Sequence, residues 1–234
     1  MKKTILLTLV FPMLLGCSKP LSNAELFENA VKDVLYADES KIRPLVNLTP
    51  GDDNVIFSDG NTKVLLCSLH HYPDSYKEGE TITTNWESWL VSVKEMANWY
   101  KKNKGKFTDY VLRSKQLLGV AEEKAHTHIS SFYVNVSDLI RPAYETDVTK
   151  PMRLSLSSDV SEEYKKWFND NIIYSYYNEG TKSPWTRLGY TYDWSGTSDR
   201  YGLSEFLLPS GKEITTEKTS EIKEFFTDYL ENIK

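Results

Sequence analysis

Two cysteines in 234 residues are too few for a disulfide framework, so the fold must rest on its core. The chain contains no GxSxG, Walker loop, HExxH or CxxC, which removes the local signatures of serine hydrolases, P-loop nucleotidases, zinc proteases and dithiol oxidoreductases. An enzyme is not thereby excluded, because triads and carboxylate pairs need not be local in sequence. Basic charge is in deficit: 28 Lys and Arg face 33 Asp and Glu, a formal charge of -5. That balance argues against nucleic acid or an anionic lipid surface as a partner, since both reward clustered Lys and Arg. No apolar run reaches the about 20 residues that a membrane span takes. Histidine is also scarce, at four residues. His126 and His128 would share one face of a strand, but two ligands do not make a metal site. His70 and His71 are adjacent, so at most one could join them. No metal or cofactor is expected.

What the chain has is a leader. Met1-Lys2-Lys3 precedes an apolar core over residues 5–15 and the stretch Leu14-Leu15-Gly16-Cys17, the three parts of a secretory signal. The stretch resembles the lipobox of bacterial lipoproteins, which implies cleavage before Cys17 and acyl chains on that cysteine; the plainer alternative is an ordinary cleaved signal with a chance cysteine. Two or more acyl chains hold a protein stably at a membrane where one holds it marginally. Ser18 stands where Asp would mark inner-membrane retention, so the outer membrane is the expected destination in a Gram-negative host. The expected organisation is a signal peptide over residues 1–16, the lipidated cysteine and a tether over 17–21, and one globular domain over 22–234. Cleavage would leave 26 basic and 33 acidic residues, a charge of -7, with Cys67 as the one remaining thiol.

Beyond the tether, Ser22-Asn23-Ala24-Glu25 has capping-box spacing and starts a helix predicted to about residue 36. Val55-Ile56-Phe57, the turn Asp59-Gly60 and residues 63–69 predict a hairpin. Leu65, Cys67 and Leu69 would share one face of its second strand, placing Cys67 as a small buried hydrophobe. A strand over 86–93, helices over 95–103 and 107–118, a strand over 129–136, a long helix over 160–178 and a strand over 203–208 follow. Ile222, Phe225, Phe226, Tyr229, Leu230 and Ile233 recur at helical spacing. The predicted class is α+β, a single domain with an antiparallel or mixed sheet flanked by helices and closed by a C-terminal amphipathic helix.

Candidate binding residues gather in the run 184–194, PWTRLGYTYDW. If residues 190–194 are extended, Tyr190, Tyr192 and Trp194 line one face. With Trp185, Arg187 and Asp193 they would form a platform for a sugar or small polar ligand; the alternative is that these rings build the core. Arg141, Arg187 and Glu205 are charged residues in apolar local sequence, to be read either as structural ion pairs or as an anion clamp.

Val64-Leu65-Leu66, residues 89–95, 116–119 and 138–142, the PWTRLGYTYDW run and Gly202-Leu203-Ser204-Glu205-Phe206 together resemble a family of bacterial proteins without an assigned activity. The resemblance covers residues 46–208 and implies no catalytic residue. That pattern often has a Cys after the Arg-Pro pair; here the position is Ala143, so no role of such a cysteine transfers. Three functions are compatible with the sequence: a lipid-anchored envelope protein that binds a small ligand or a partner protein, a periplasmic hydrolase using Glu205, Asp193 and Arg187, and a lipoprotein that neutralises a toxin. The lipid anchor has a direct check: Cys17→Ser is expected to abolish palmitate labelling in a bacterial host and to release the protein or stall its precursor.

Overall fold

The computed structural model describes residues 19–58, 60–180 and 182–234, so the expected leader and Cys17 lie outside the described residues. Chain order begins with helix α1 (Asn23–Asp33). Its capping box forms as the spacing predicts: Ser22 Oγ accepts the Glu25 N–H, and Glu25 Oε2 accepts the Ser22 N–H at 2.8 Å. Strands β1 (Lys63–His70), β2 (Thr81–Thr83) and β3 (Ser88–Ser92) come next, with helices α2 (Val93–Asn103) and α3 (Tyr110–Leu117). The remaining elements are β4 (His128–Asn135), α4 (Glu162–Ile172), β5 (Tyr190–Tyr192), β6 (Tyr201–Leu208), β7 (Glu213–Glu221) and α5 (Ile222–Glu224).

The seven strands form one antiparallel sheet in the order β2-β7-β4-β1-β3-β6-β5. Alternation along β1 assigns its two faces. Leu65, Cys67 and Leu69 pack with Val91, Ile129 and Leu203 beneath Met96 and Ala97 of α2 and beneath Phe225, Phe226 and Leu230. Val64 and Leu66 pack on the opposite face with Phe132, Phe206 and Ile214, covered by Val46, Leu48, Leu139 and Val148. A third cluster joins Ala30, Val31 and Val34 of α1 to Phe168, Trp185 and Trp194. Cys67 is buried, and burial pushes its thiol far above the usual range, so it is a core residue and not a nucleophile.

Several segments differ from expectation. The first arm of the predicted hairpin makes a single bridge, Phe57 to Val64. Strands β2 and β7 are additions; β7 reads EITTEKTSE, with too few apolar residues to announce a strand, and its pairing with β4 from His128 to Val134, across one bulge, supplies the order. The predicted helix over 160–178 is α-helical only over α4 and then widens into a π turn, Ile173–Tyr177. The predicted regular C-terminal amphipathic helix is replaced by three successive windings: α5, a π turn over Phe225–Tyr229 and a 3-10 turn over Leu230–Asn232. The extra residue per turn in the π segment shifts the apolar stripe, and Ile222, Phe225, Phe226 and Leu230 are nonetheless all buried.

One irregularity of the sheet positions everything that follows. Strands β1 and β3 pair at just two positions, Leu66 with Ser92 and Cys67 with Val91. Beyond them Ser68 to His70 stay on β4 while Ser88 to Leu90 stay on β6. The two central strands therefore part, and the sheet carries a split near its middle.

Phe206, fully buried beside that junction, is expected to matter most for stability. Phe206→Ala should lower the unfolding free energy of residues 18–234 by ~3–5 kcal/mol in urea titration.

Candidate functional site

The split opens into a cavity of about 570 Å³, bounded by residues 68–72 on one side and 86–91 on the other, within the range of small-molecule sites. Tyr76, Phe132 and Trp86 supply rings: Tyr76 stands edge-on to Phe132 at 5.0 Å and to Trp86 at 6.3 Å. A second cavity of about 440 Å³ is bounded by Tyr174, Pro184, Trp185 and Tyr192. Glu87, Trp89, Leu118, Val120, Thr191 and Glu205 line both, so the two spaces share a wall.

That wall exists because the helical layer stops there. Helix α3 ends at Leu117, and Gly119 takes φ +67°, the left-handed conformation that terminates a helix and that glycine adopts without strain. Thr191 Oγ1 then donates to Leu117 O at 2.8 Å and accepts the Leu203 N–H at 2.9 Å, tying β5, β6 and the end of α3 together. Gly202 is required at this knot, since a Cβ would lie 2.4 Å from Leu117 O. Past it the second cavity lies beside Glu205, walled on its far side by Asn171 of α4 and by Tyr174 and Ser175 of the π turn.

Glu205 sits opposite Val91 in the β3–β6 register and shares a face with Leu203. Its backbone N–H donates to Gly189 O. The residue is 9% exposed, and no hydrogen bond or ion pair reaches the carboxyl group from any described residue. Burial alone pushes its pKa up to about 8. Glu87, at the rim, is held differently: Oε1 accepts the Trp89 indole N–H at 3.1 Å and Oε2 the Trp167 indole N–H at 2.7 Å.

Two of the histidines at the cavity, His70 and His126, bring no positive charge to it near neutral pH. Burial, aided by the neighbouring histidines, pushes His70 down to about 4, and burial with His71 does the same to His126. The His70 ring is also fixed in one tautomer. Nδ1 accepts the Tyr72 N–H at 3.1 Å, so Nε2 carries the proton and donates to Ser130 Oγ at 2.7 Å. That hydroxyl hands on to Thr219 Oγ1, which donates to Tyr76 O at 2.7 Å. His126 lies before β4, so it does not pair with His128 as a strand neighbour; it stands 6.0 Å from His71, while His128 stacks 6.2 Å from His70. Among the described residues, no group of three or more His, Cys, Asp or Glu side chains is placed to hold a metal.

The residues singled out from sequence divide. Trp185, Tyr190, Tyr192 and Glu205 meet at the second cavity, although the Tyr192 hydroxyl turns away to Asp33 and that of Tyr190 to Lys41 O. Trp194 is buried, its indole N–H on Val120 O at 3.0 Å. Asp193 takes a two-pronged bond from Arg113, at 3.1 and 2.5 Å, and so serves as an ion-pair partner. Arg141 is fully buried and donates to Val46 O at 2.6 Å and Val148 O at 2.8 Å. Burial lowers its pKa to about 10. Arg187, at φ +60°, donates to the α1-terminal carbonyls of Val34 and Leu35 at 2.6 and 3.0 Å, between the rings of Tyr144 and Tyr176. Arg141, Arg187 and Asp193 do not line the two cavities with Glu205. Only Glu205 faces a cavity with its polar group unengaged.

Sequence reasoning missed Tyr76, Trp86, Glu87, Leu118 and Val120 as cavity residues. One signal was present: Trp86-Glu87-Ser88-Trp89 places an acid between two indoles at a spacing that fits neither face of the strand. Searches of protein-family models, curated proteins and solved structures find no match to the chain. The chemistry of the site is therefore argued from its own residues.

Between 4.5 and about 8 the folded protein holds a proton on Glu205 that the unfolded chain has released, so this group's contribution to stability falls as pH rises through that window. Glu205→Gln removes the dependence. Urea unfolding should show the variant gaining stability relative to wild type between pH 5 and pH 9; a constant difference would mean that Glu205 titrates normally.

Proposed function

We propose that the protein is a lipid-anchored component of the bacterial cell envelope that binds a small, largely apolar ligand within the split sheet. The observation that carries this reading is the pair of adjoining cavities with aromatic and aliphatic walls and one unengaged carboxyl at their junction. Close packing is the rule in protein interiors, and a split through the centre of a sheet forfeits backbone pairing that closure would supply. Space of this size with a polar group at its junction is the usual form of a ligand site. The envelope location rests on the leader over residues 1–16 and on Cys17.

A second reading, a periplasmic hydrolase, draws on the same carboxyl. An acid raised to about 8 is protonated at neutral pH, as a general acid must be. Asp193 and Arg187, the other residues considered for that role, are engaged in structural bonds. The binding reading is therefore preferred.

The test is occupancy. N-phenyl-1-naphthylamine, an uncharged dye that fluoresces in apolar surroundings, should bind residues 18–234 at micromolar concentration, and Val120→Trp, which fills the shared wall, should weaken it at least tenfold with the fold intact by circular dichroism. Equal binding by that variant would place the ligand elsewhere, and no binding by wild type would remove the reading. Turnover of chromogenic glycosides or esters, lost in Glu205→Gln, would favour the hydrolase.

A further inference from the structure

Charge along the two cavities is one-sided. Their described walls include two acidic side chains, Glu87 and Glu205, and neither Lys nor Arg, although the chain as a whole carries 28 basic residues. Elsewhere in this fold buried charge finds partners: Asp193 has Arg113, and Arg141 and Arg187 have backbone carbonyls. Glu205 has none, though it is nine-tenths buried and faces the space. We propose that the ligand is an organic cation, an ammonium group on an apolar body, whose charge rests between Glu205 and the ring faces at the shared wall.

Three further features fit that class. Rings stand on both sides of the carboxyl: Trp89 is common to the two cavities, with Tyr76 and Trp86 in one and Trp185 in the other. Aromatic faces attract cations, most strongly where water is excluded. The rim carboxylate of Glu87 is pinned by two indole N–H groups, which sets a negative charge at the mouth and favours entry of a cation over an anion. Leu69, Leu90, Leu118, Val120 and Ile214 complete walls suited to an aliphatic or aromatic body, and too apolar for a fully hydroxylated sugar, whose hydroxyl groups would go unpaired. The bound cation would also supply the partner that Glu205 lacks: its arrival favours the ionised carboxylate, and the displaced proton leaves to solvent.

This inference rests on the small-ligand reading and can fail without it. Phenyltrimethylammonium, its uncharged isostere tert-butylbenzene and the anion benzenesulfonate have similar size, and their binding to residues 18–234 can be compared at pH 7.5 by titration calorimetry or by displacement of N-phenyl-1-naphthylamine. The cation is expected to bind at least tenfold tighter than either of the others, and Glu205→Gln to reduce the ratio of cation to isostere at least fivefold. The isostere serves in the variant as the gauge of an intact cavity. If Glu205→Gln fails to fold, Glu87→Gln, at the exposed rim, should lower the same ratio by a smaller factor. Equal or tighter binding of the isostere or the anion overturns the inference and leaves the small-ligand reading standing. Dye binding with none of the three probes competing at 5 mM overturns it as well. Absence of both dye and probe binding overturns the two together.

Discussion

The two-residue pairing of β1 with β3 is the constraint on which the rest of the structure depends. Had the ladder continued past Leu66 and Cys67, Leu69 would meet Trp89 and the sheet would close. Instead each strand keeps its outer neighbour, β1 on β4 over eight positions and β3 on β6 over four. Residues 68–70 and 88–90 at the parting line the cavity, and both layers of the core end at its edge. An antiparallel sheet normally separates its two faces completely; here one space touches Leu69 and Val91 from the helical side and Phe132 and Ile214 from the other.

A chain with no disulfide among its described residues holds its long connections by another device. Arg141 joins the loops at residues 46 and 148 through their carbonyls, and Arg187 closes the end of α1. Each guanidinium presents several donors in a rigid fork, so one side chain fixes two segments that share no secondary structure. Burial of such a charge is costly, and the rings of Phe206, Tyr144 and Tyr176 against these groups offset part of it.

Glu95 and Glu205 show how the same residue type takes two roles. Burial pushes both above the usual carboxylate range, to about 7 and about 8. Glu95 accepts from Ser204 N at 2.8 Å, from Ser204 Oγ at 3.1 Å and from the Tyr201 hydroxyl at 3.1 Å, so its lone pairs are satisfied and it ties α2 to β6. Glu205, one residue after Ser204, projects from the opposite face of the strand and meets open space. Ser204, which satisfies Glu95, and Glu205 are one step of strand alternation apart.

Local rules made much of the architecture legible in the sequence. The capping box at Ser22, the end of a helix near residue 118, the alternation that buries Cys67 and the α+β class follow from contacts within a few residues, and the chain carries them wherever it folds. The leader expected over residues 1–16 is likewise a local pattern, and the proposed anchor comes from it alone. Tertiary structure decided what spacing could not encode. Strand β7, polar by composition, exists because β4 offers it a ladder from His128 to Val134. Arg141 and Arg187 became structural because carbonyls distant in sequence lie within their reach. Glu205 came to face a cavity because α3 stops and β1 leaves β3 at the same place. Each of these outcomes is a meeting of segments far apart along the chain, whose partners are chosen by packing and backbone pairing across the whole sheet, so no window of sequence contains them.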